Sequence, residues 1–127
     1  MKFIHTLTLL VFTLLSVPLM AQVKTITPQE MNTQAKKEKA VFLDVRTPQE
    51  WNKGHIAGAL HYNLFDDHFE SELKKLDKTK VYYVYCAVGG RSAEAAQTMI
   101  NLGFKHVYNM QGGFNAWTKA GLPSTTN

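Results

Sequence analysis

Apolar positions along the chain fall into short blocks that alternate between two periods. Residues 23–26, 40–45, 60–64, 81–85 and 107–110 are strand-length runs dominated by apolar side chains. Between them the apolar residues recur at helical spacing. Positions 69, 73 and 76 form one such face, and Ala95, Ala96, Met99 and Ile100 form another within a helix expected over 92–102. A last short helix is expected over 114–120, stopped by Gly121 and Pro123. Two helix starts are written with the same tetrapeptide, Thr-Pro-Gln-Glu, at 27–30 and 47–50. Threonine caps, proline opens the first turn, and glutamate at the third position closes a capping box. The flanks differ, so this is one capping device used twice and not a sequence repeat. Residues 54–59 read as a tight turn, Gly103 as a helix C-cap, and the tail 124–127 as disordered.

Alternating β and α units with continuous apolar strands predict an α/β fold, a small parallel sheet sandwiched by helices on both faces. A chain of 127 residues holds one such domain and no second. The first 21 residues stand apart. Lys2, an apolar stretch over 7–15, Pro18 and a small residue at Ala21 give a secretory leader, with the domain expected over 22–127. The stretch is interrupted by His5, Thr6, Thr8, Thr13 and Ser16, which makes a poor spanning helix, although an uncleaved anchor is the alternative. No cysteine stands directly after it, which argues against a lipoprotein anchor. A periplasmic or secreted location follows from the leader, with no stable membrane insertion once it is cut.

Charge narrows the partners. Without the leader, 13 Lys+Arg stand against 10 Asp+Glu, a mild net +3 with scattered lysines. No basic stripe points to nucleic acid. Both arginines, Arg46 and Arg91, lie beside the carboxyl ends of expected strands, where sites form in such sheets. Beside Arg91 stands the chain's one cysteine, Cys86. It follows the apolar strand and opens the loop Cys86-Ala87-Val88-Gly89-Gly90-Arg91 ahead of a helix. Helix starts offer unpaired N–H groups and the positive end of a dipole, which favour a thiolate. Paired glycines let the loop curl with its amides inward around an anion, and Arg91 is expected to add a fixed charge. A buried structural cysteine is the plain alternative, but it needs neither the glycines nor the arginine. A lone cysteine also lacks the resolving partner of a thioredoxin-like oxidoreductase.

The ordered set Asp44-Val-Arg46, Glu50-Trp51, Gly54-His55-Ile56-x-Gly58-Ala59, Cys86-x-x-Gly89-x-Arg91-Ser92, and Gly112-Gly113 with Trp117 resembles the single-domain rhodanese (thiosulfate sulfurtransferase) family. It is similar in particular to the periplasmic phage-shock-type rhodaneses of bacteria. The resemblance runs from about residue 26 to residue 122. It implies a rhodanese-like fold and sulfur transfer. Cys86 would take a sulfane sulfur from thiosulfate or a similar small anionic donor, carry it as a persulfide, and yield it to cyanide or a thiol. The amides of residues 87–91 would hold the anion, with no cofactor and no metal. Delivery of the sulfur to a protein partner, as a carrier or binding module, is the alternative. Cysteine-dependent phosphatases and arsenate reductases share the architecture but place five residues between Cys and Arg. Here there are four, a smaller cradle that suits sulfur better than phosphate.

Other residues admit plainer readings. Asp44 fits a loop fastener better than a ligand, while Arg46 is open between fastening and reaching the anion. Glu50 fits the capping box and is a candidate partner for Arg46. His55 fits a hydrogen-bonded turn; thiolate attack on sulfur needs no general base. His61, His68 and His106 show no metal-site spacing. Trp51, Trp117, Phe104 and Phe114 fit the core, and Tyr82, Tyr83 and Tyr85 fit the two faces of the sheet. Oligomeric state has no signature in the sequence.

Overall fold

The computed structural model describes residues 1–3 and 23–127; the leader and its cleavage point fall almost wholly outside the described residues. Five strands run in chain order: β1 (Lys24–Ile26), β2 (Val41–Asp44), β3 (Leu60–His61), β4 (Val81–Tyr85) and β5 (His106–Met110). They form one sheet in the order β1-β5-β4-β2-β3, with every pairing parallel. Helices α1 (Pro28–Glu38), α2 (Pro48–Lys53), α3 (Phe69–Leu73), α4 (Gly90–Asn101) and α5 (Gly113–Lys119) connect and cover it. The α/β sandwich expected from the alternating blocks is the fold observed.

The central strand shows why its run is apolar throughout. Side chains of a strand alternate between faces, and both faces of β4 are covered. Tyr82, Val84 and Cys86 pack with Phe69, Leu73, Ala95, Ala96 and Met99 on one side. Tyr83 and Tyr85 pack with Met31, Ile56, Met110 and Trp117 on the other. Buried hydroxyls find partners: Tyr83 donates to Glu38 at 2.7 Å, and Tyr85 accepts from the Ile56 N–H at 3.1 Å. Burial and nearby carboxylates push both phenols well above their ordinary value.

Both Thr-Pro-Gln-Glu segments form the capping boxes read from the sequence, with Thr27 and Thr47 accepting from the N–H of Glu30 and Glu50. Several details differ. β3 holds two residues and not five, because Asn63 turns the chain: its carbonyl accepts from Asp66 N–H and its side chain from Phe65 N–H. α4 begins at Gly90, two residues before Ser92, because Gly89, at φ +112°, serves as its N-cap. The tail is tied down and not loose. Thr125 and His55 exchange both backbone hydrogen bonds at 2.8 Å, and Trp117 Nε1 donates to Pro123 O.

Candidate active site

Parallel strands put the loops after β2 and β4 side by side, with Asp44 opposite Tyr85 in register. Cys86 leaves the central strand there. The loop behind it is clamped from below by the first turn of α5, whose Phe114 and Asn115 N–H groups donate to the carbonyls of Cys86 (2.8 Å) and Ala87 (3.1 Å). Gly113, at φ +60°, makes this approach possible: a Cβ there would lie 2.6 Å from the backbone of Cys86 and Ala87. With its carbonyls held toward α5, the loop turns its amides toward the sulfur. The Gly89 N–H donates to Cys86 Sγ at 3.1 Å, and the N–H groups of Val88 and Ser92 also favour a negative sulfur.

Cys86 is fully buried. Burial is the largest influence on its thiol and pushes it up. The Ser92 hydroxyl at 3.3 Å and the amides of Ser92, Gly89 and Val88 pull the other way and prevail, leaving the thiol below its ordinary value. Among the described residues, Ala87, Gly90 and Arg91 supply loop backbone but no hydrogen bond to Sγ. The Val88 side chain stands out into solvent, 68% exposed.

Both arginines are already engaged, and one expected pairing is corrected. Arg91 lies near enough to Cys86 for the two charges to favour each other, but its hydrogen bonds are made to Glu50. Its two terminal nitrogens bind the two carboxylate oxygens of Glu50 at 2.7 and 2.8 Å, a bidentate pair between α4 and α2. Glu50 therefore partners Arg91, and not Arg46 as expected. The pair holds the Glu50 carboxyl at about 2, against burial and with help from Thr47. Arg46 is 4% exposed, and its guanidinium is spent on Asp44 (2.7 Å) and Gly54 O (2.7 Å), over the Phe114 ring at 4.4 Å. It fastens the β2–α2 loop. Asp44 has the fastening role expected.

His55 lies buried in its turn, stacked on Trp51 at 3.4 Å, with Nδ1 against Trp51 O and Nε2 against Asn127 O. His61 stacks on Trp51 from 4.7 Å and bonds Arg46 O. Among the described residues no group of three or more His, Cys, Asp or Glu side chains is placed to hold a metal ion.

Two buried residues join the site that the sequence motifs do not single out. Ser92 lies within the Cys86–Ser92 motif, which by itself assigns its side chain no task. Asn109 lies inside β5, where a lone amide in an apolar strand is the one sequence signal. Both are buried, and Ser92 Oγ donates to Asn109 Oδ1 at 2.6 Å.

A family model described as a rhodanese-like domain matches residues 27–120. A thiosulfate sulfurtransferase of Pseudomonas putida is 36% identical over 108 residues, covering 84% of this chain and 94% of its own. A rhodanese-related protein of Thermoplasma volcanium, solved by crystallography, superposes with a TM-score of 0.74 at 29% identity, covering 82% of this chain and 99% of its own. A Rhodopseudomonas palustris structure titled as a possible tyrosine phosphatase gives 0.68 at 30% identity, over 81% of this chain and 85% of its own. With the matched segment spanning both the cysteine loop and the sheet that presents it, this chain belongs to the rhodanese-like domain family.

Proposed function

We propose that the protein is a sulfurtransferase that moves a sulfane sulfur through a Cys86 persulfide. The observation that carries this reading is the convergence of main-chain amides and the Ser92 hydroxyl on one buried, ionisable sulfur. In the first half, the Cys86 thiolate attacks the outer sulfur of thiosulfate or a similar donor. The donor S–S bond breaks, sulfite leaves with the bonding pair, and Cys86 holds a persulfide whose outer sulfur bears the negative charge. In the second half, cyanide or a thiol attacks that outer sulfur, and the Cys86 thiolate is the leaving group. The second half returns the charge to Sγ, where the amides already point, so little reorganisation is needed there. With Arg91 bound to Glu50, the main chain is the chief anion holder.

The likeness to a possible tyrosine phosphatase keeps phosphate hydrolysis as the outcome to test against. Four residues separate Cys86 from Arg91, and the hydrogen bonds of that arginine are taken by Glu50. Both features speak for sulfur. The test is mass spectrometry after incubation with thiosulfate. One added sulfur on the Cys86 peptide, lost again on adding cyanide, is expected; turnover of an aryl phosphate without sulfur uptake overturns the reading. The proposal extends to place: the leader 1–21 is a signal peptide, and the domain 22–127 works in the periplasm or outside the cell. Exported protein should begin at Gln22, and protein retained whole in the cytoplasm would refute this.

A further inference from the structure

Ser92 has one hydroxyl hydrogen and three acceptors within reach. Asn109 Oδ1 lies at 2.6 Å, Gly89 O at 3.2 Å and Cys86 Sγ at 3.3 Å. The orientation of the Asn109 amide is set from its other end. Its Nδ2 lies 3.2 Å from Gly89 O, which can only accept, so the oxygen is the end that faces Ser92. In the resting arrangement the hydroxyl therefore points at Asn109 and presents its lone pairs to sulfur. Ser92 and Cys86 are fully buried and Asn109 is 6% exposed, so these groups compete at low dielectric, where hydrogen bonds are strong.

We propose that Asn109 is a positioning residue that competes with Cys86 Sγ for the Ser92 hydroxyl hydrogen, so that the hydroxyl turns to sulfur only while Sγ is an anion. The catalytic part of this inference rests on the sulfur-transfer reading above. The cycle follows from where charge sits. In the thiol, S–H donates to Ser92 Oγ and Ser92 donates to Asn109. When the thiol proton leaves to solvent, the hydroxyl swings to the thiolate and Asn109 Oδ1 gives up its bond. Once the new S–S bond forms, the negative charge lies on the outer sulfur and Sγ is neutral, so the hydroxyl returns to Asn109. When the acceptor takes the outer sulfur, the S–S bonding pair falls back on Sγ, and the hydroxyl swings to meet it. No proton is gained or lost by Ser92 or Asn109 in either transfer.

The sign of the Asn109 effect is unusual. A structural amide, once removed, loosens the Gly89 carbonyl and slackens the cradle, which disfavours the thiolate. A competitor, once removed, frees the hydroxyl for sulfur and favours it. The charged groups that face this corner do not confuse the comparison. From α4 and α2 they are Arg91 and Glu50, and from β2 they are Asp44 and Arg46, each paired with the other. α5 presents no charged residue before Lys119, and β5 carries only His106, at the end away from the loop.

The test is the rate of Cys86 alkylation by iodoacetamide against pH in the full chain, for the unaltered protein, Asn109→Leu, Ser92→Ala and the double variant. Asn109→Leu is expected to lower the inflection by about half to one pH unit, and Ser92→Ala to raise it by a similar amount. The double variant should match Ser92→Ala alone, because Asn109 acts only through the hydroxyl. An inflection that stays or rises in Asn109→Leu, or a shift that persists without the hydroxyl, overturns the inference. Should the leucine not fold, the unaltered protein supplies a second readout. The Asn109 side-chain amide resonances should move through the Cys86 titration and stay still in Ser92→Ala; resonances indifferent to that titration refute it. Neither readout needs a sulfur donor. Shifts as expected without sulfur uptake would sink the proposed function alone, and uptake without the shifts would sink this inference alone.

Discussion

Glu50→Gln isolates one interaction, the bidentate pair between Glu50 and Arg91. Glutamine keeps the capping box, since its oxygen can still accept from Thr47, as Glu50 Oε1 does at 3.3 Å from the N–H and 3.0 Å from the hydroxyl. What it removes is the charge, and it sets an NH₂ group against an Arg91 nitrogen that now donates at 2.8 Å. The carboxyl is held at about 2 against an ordinary 4.5, first by the Arg91 hydrogen bonds, with burial opposing and Thr47 assisting. At 1.36 kcal/mol per pH unit, that displacement has a ceiling of roughly 3 kcal/mol. The two side chains are 25% and 31% exposed, so solvent screening brings the expected contribution to about 1–2 kcal/mol. The folded carboxyl is the stronger acid. Its contribution is therefore complete above about 4.5 and is lost as pH falls through about 2. Urea unfolding of both proteins across that range is the assay. The stability gap should be about 1–2 kcal/mol near neutrality and close toward zero at the acid end. A gap under about 0.3 kcal/mol near neutrality, or one that does not narrow with acid, would refute the reasoning.

Asp44→Ala strands the buried Arg46 guanidinium with Gly54 O, and thermal or urea unfolding should register a loss of about 3–5 kcal/mol; a loss under about 1 kcal/mol would mean that the pair does not fasten the loop. Gly113→Ala must push the backbone of Cys86 and Ala87 out of its 2.6 Å path, so stability should fall by about 1–3 kcal/mol and Cys86 alkylation should slow in the protein that remains folded. Unchanged alkylation would show that the α5 clamp does not shape the cradle. Cys86→Ser should abolish sulfur uptake from thiosulfate yet cost less than about 1 kcal/mol in urea unfolding, because a hydroxyl fits the same buried space and accepts from Gly89 N–H; residual uptake would place the nucleophile elsewhere.

The alternation of strands and helices, the capping and the cysteine loop were legible because each depends on local chemistry written in a few adjacent residues. Thr27 and Thr47 announce their helices by a device complete within four positions. The apolar run of β4 reads as a strand covered on both faces because it is one. The arginine partners were not legible. Arg46 pairs within its own strand end while Arg91 crosses 41 positions to Glu50, and nothing local separates those choices. Asn109 was missed for a similar reason: its partner Ser92 lies 17 positions away, and only the parallel packing of β5 beside β4 brings them together. The tail read as disordered because it is polar; what orders it is the distant His55 backbone.

The clamp by α5 has a consequence for how this site tolerates change. The groups that face the sulfur are main-chain amides and one hydroxyl, and the carbonyls that aim them are held by other main-chain amides. Val88, at the tip, contributes backbone to that apparatus while its side chain projects into solvent. Its identity is therefore uncoupled from the nucleophile's charge. A library randomised at that position alone would vary what the mouth of the loop presents to an incoming molecule while the anion-holding parts stay constant. Randomising Gly113, buried against the backbone of Cys86 and Ala87, would do the reverse.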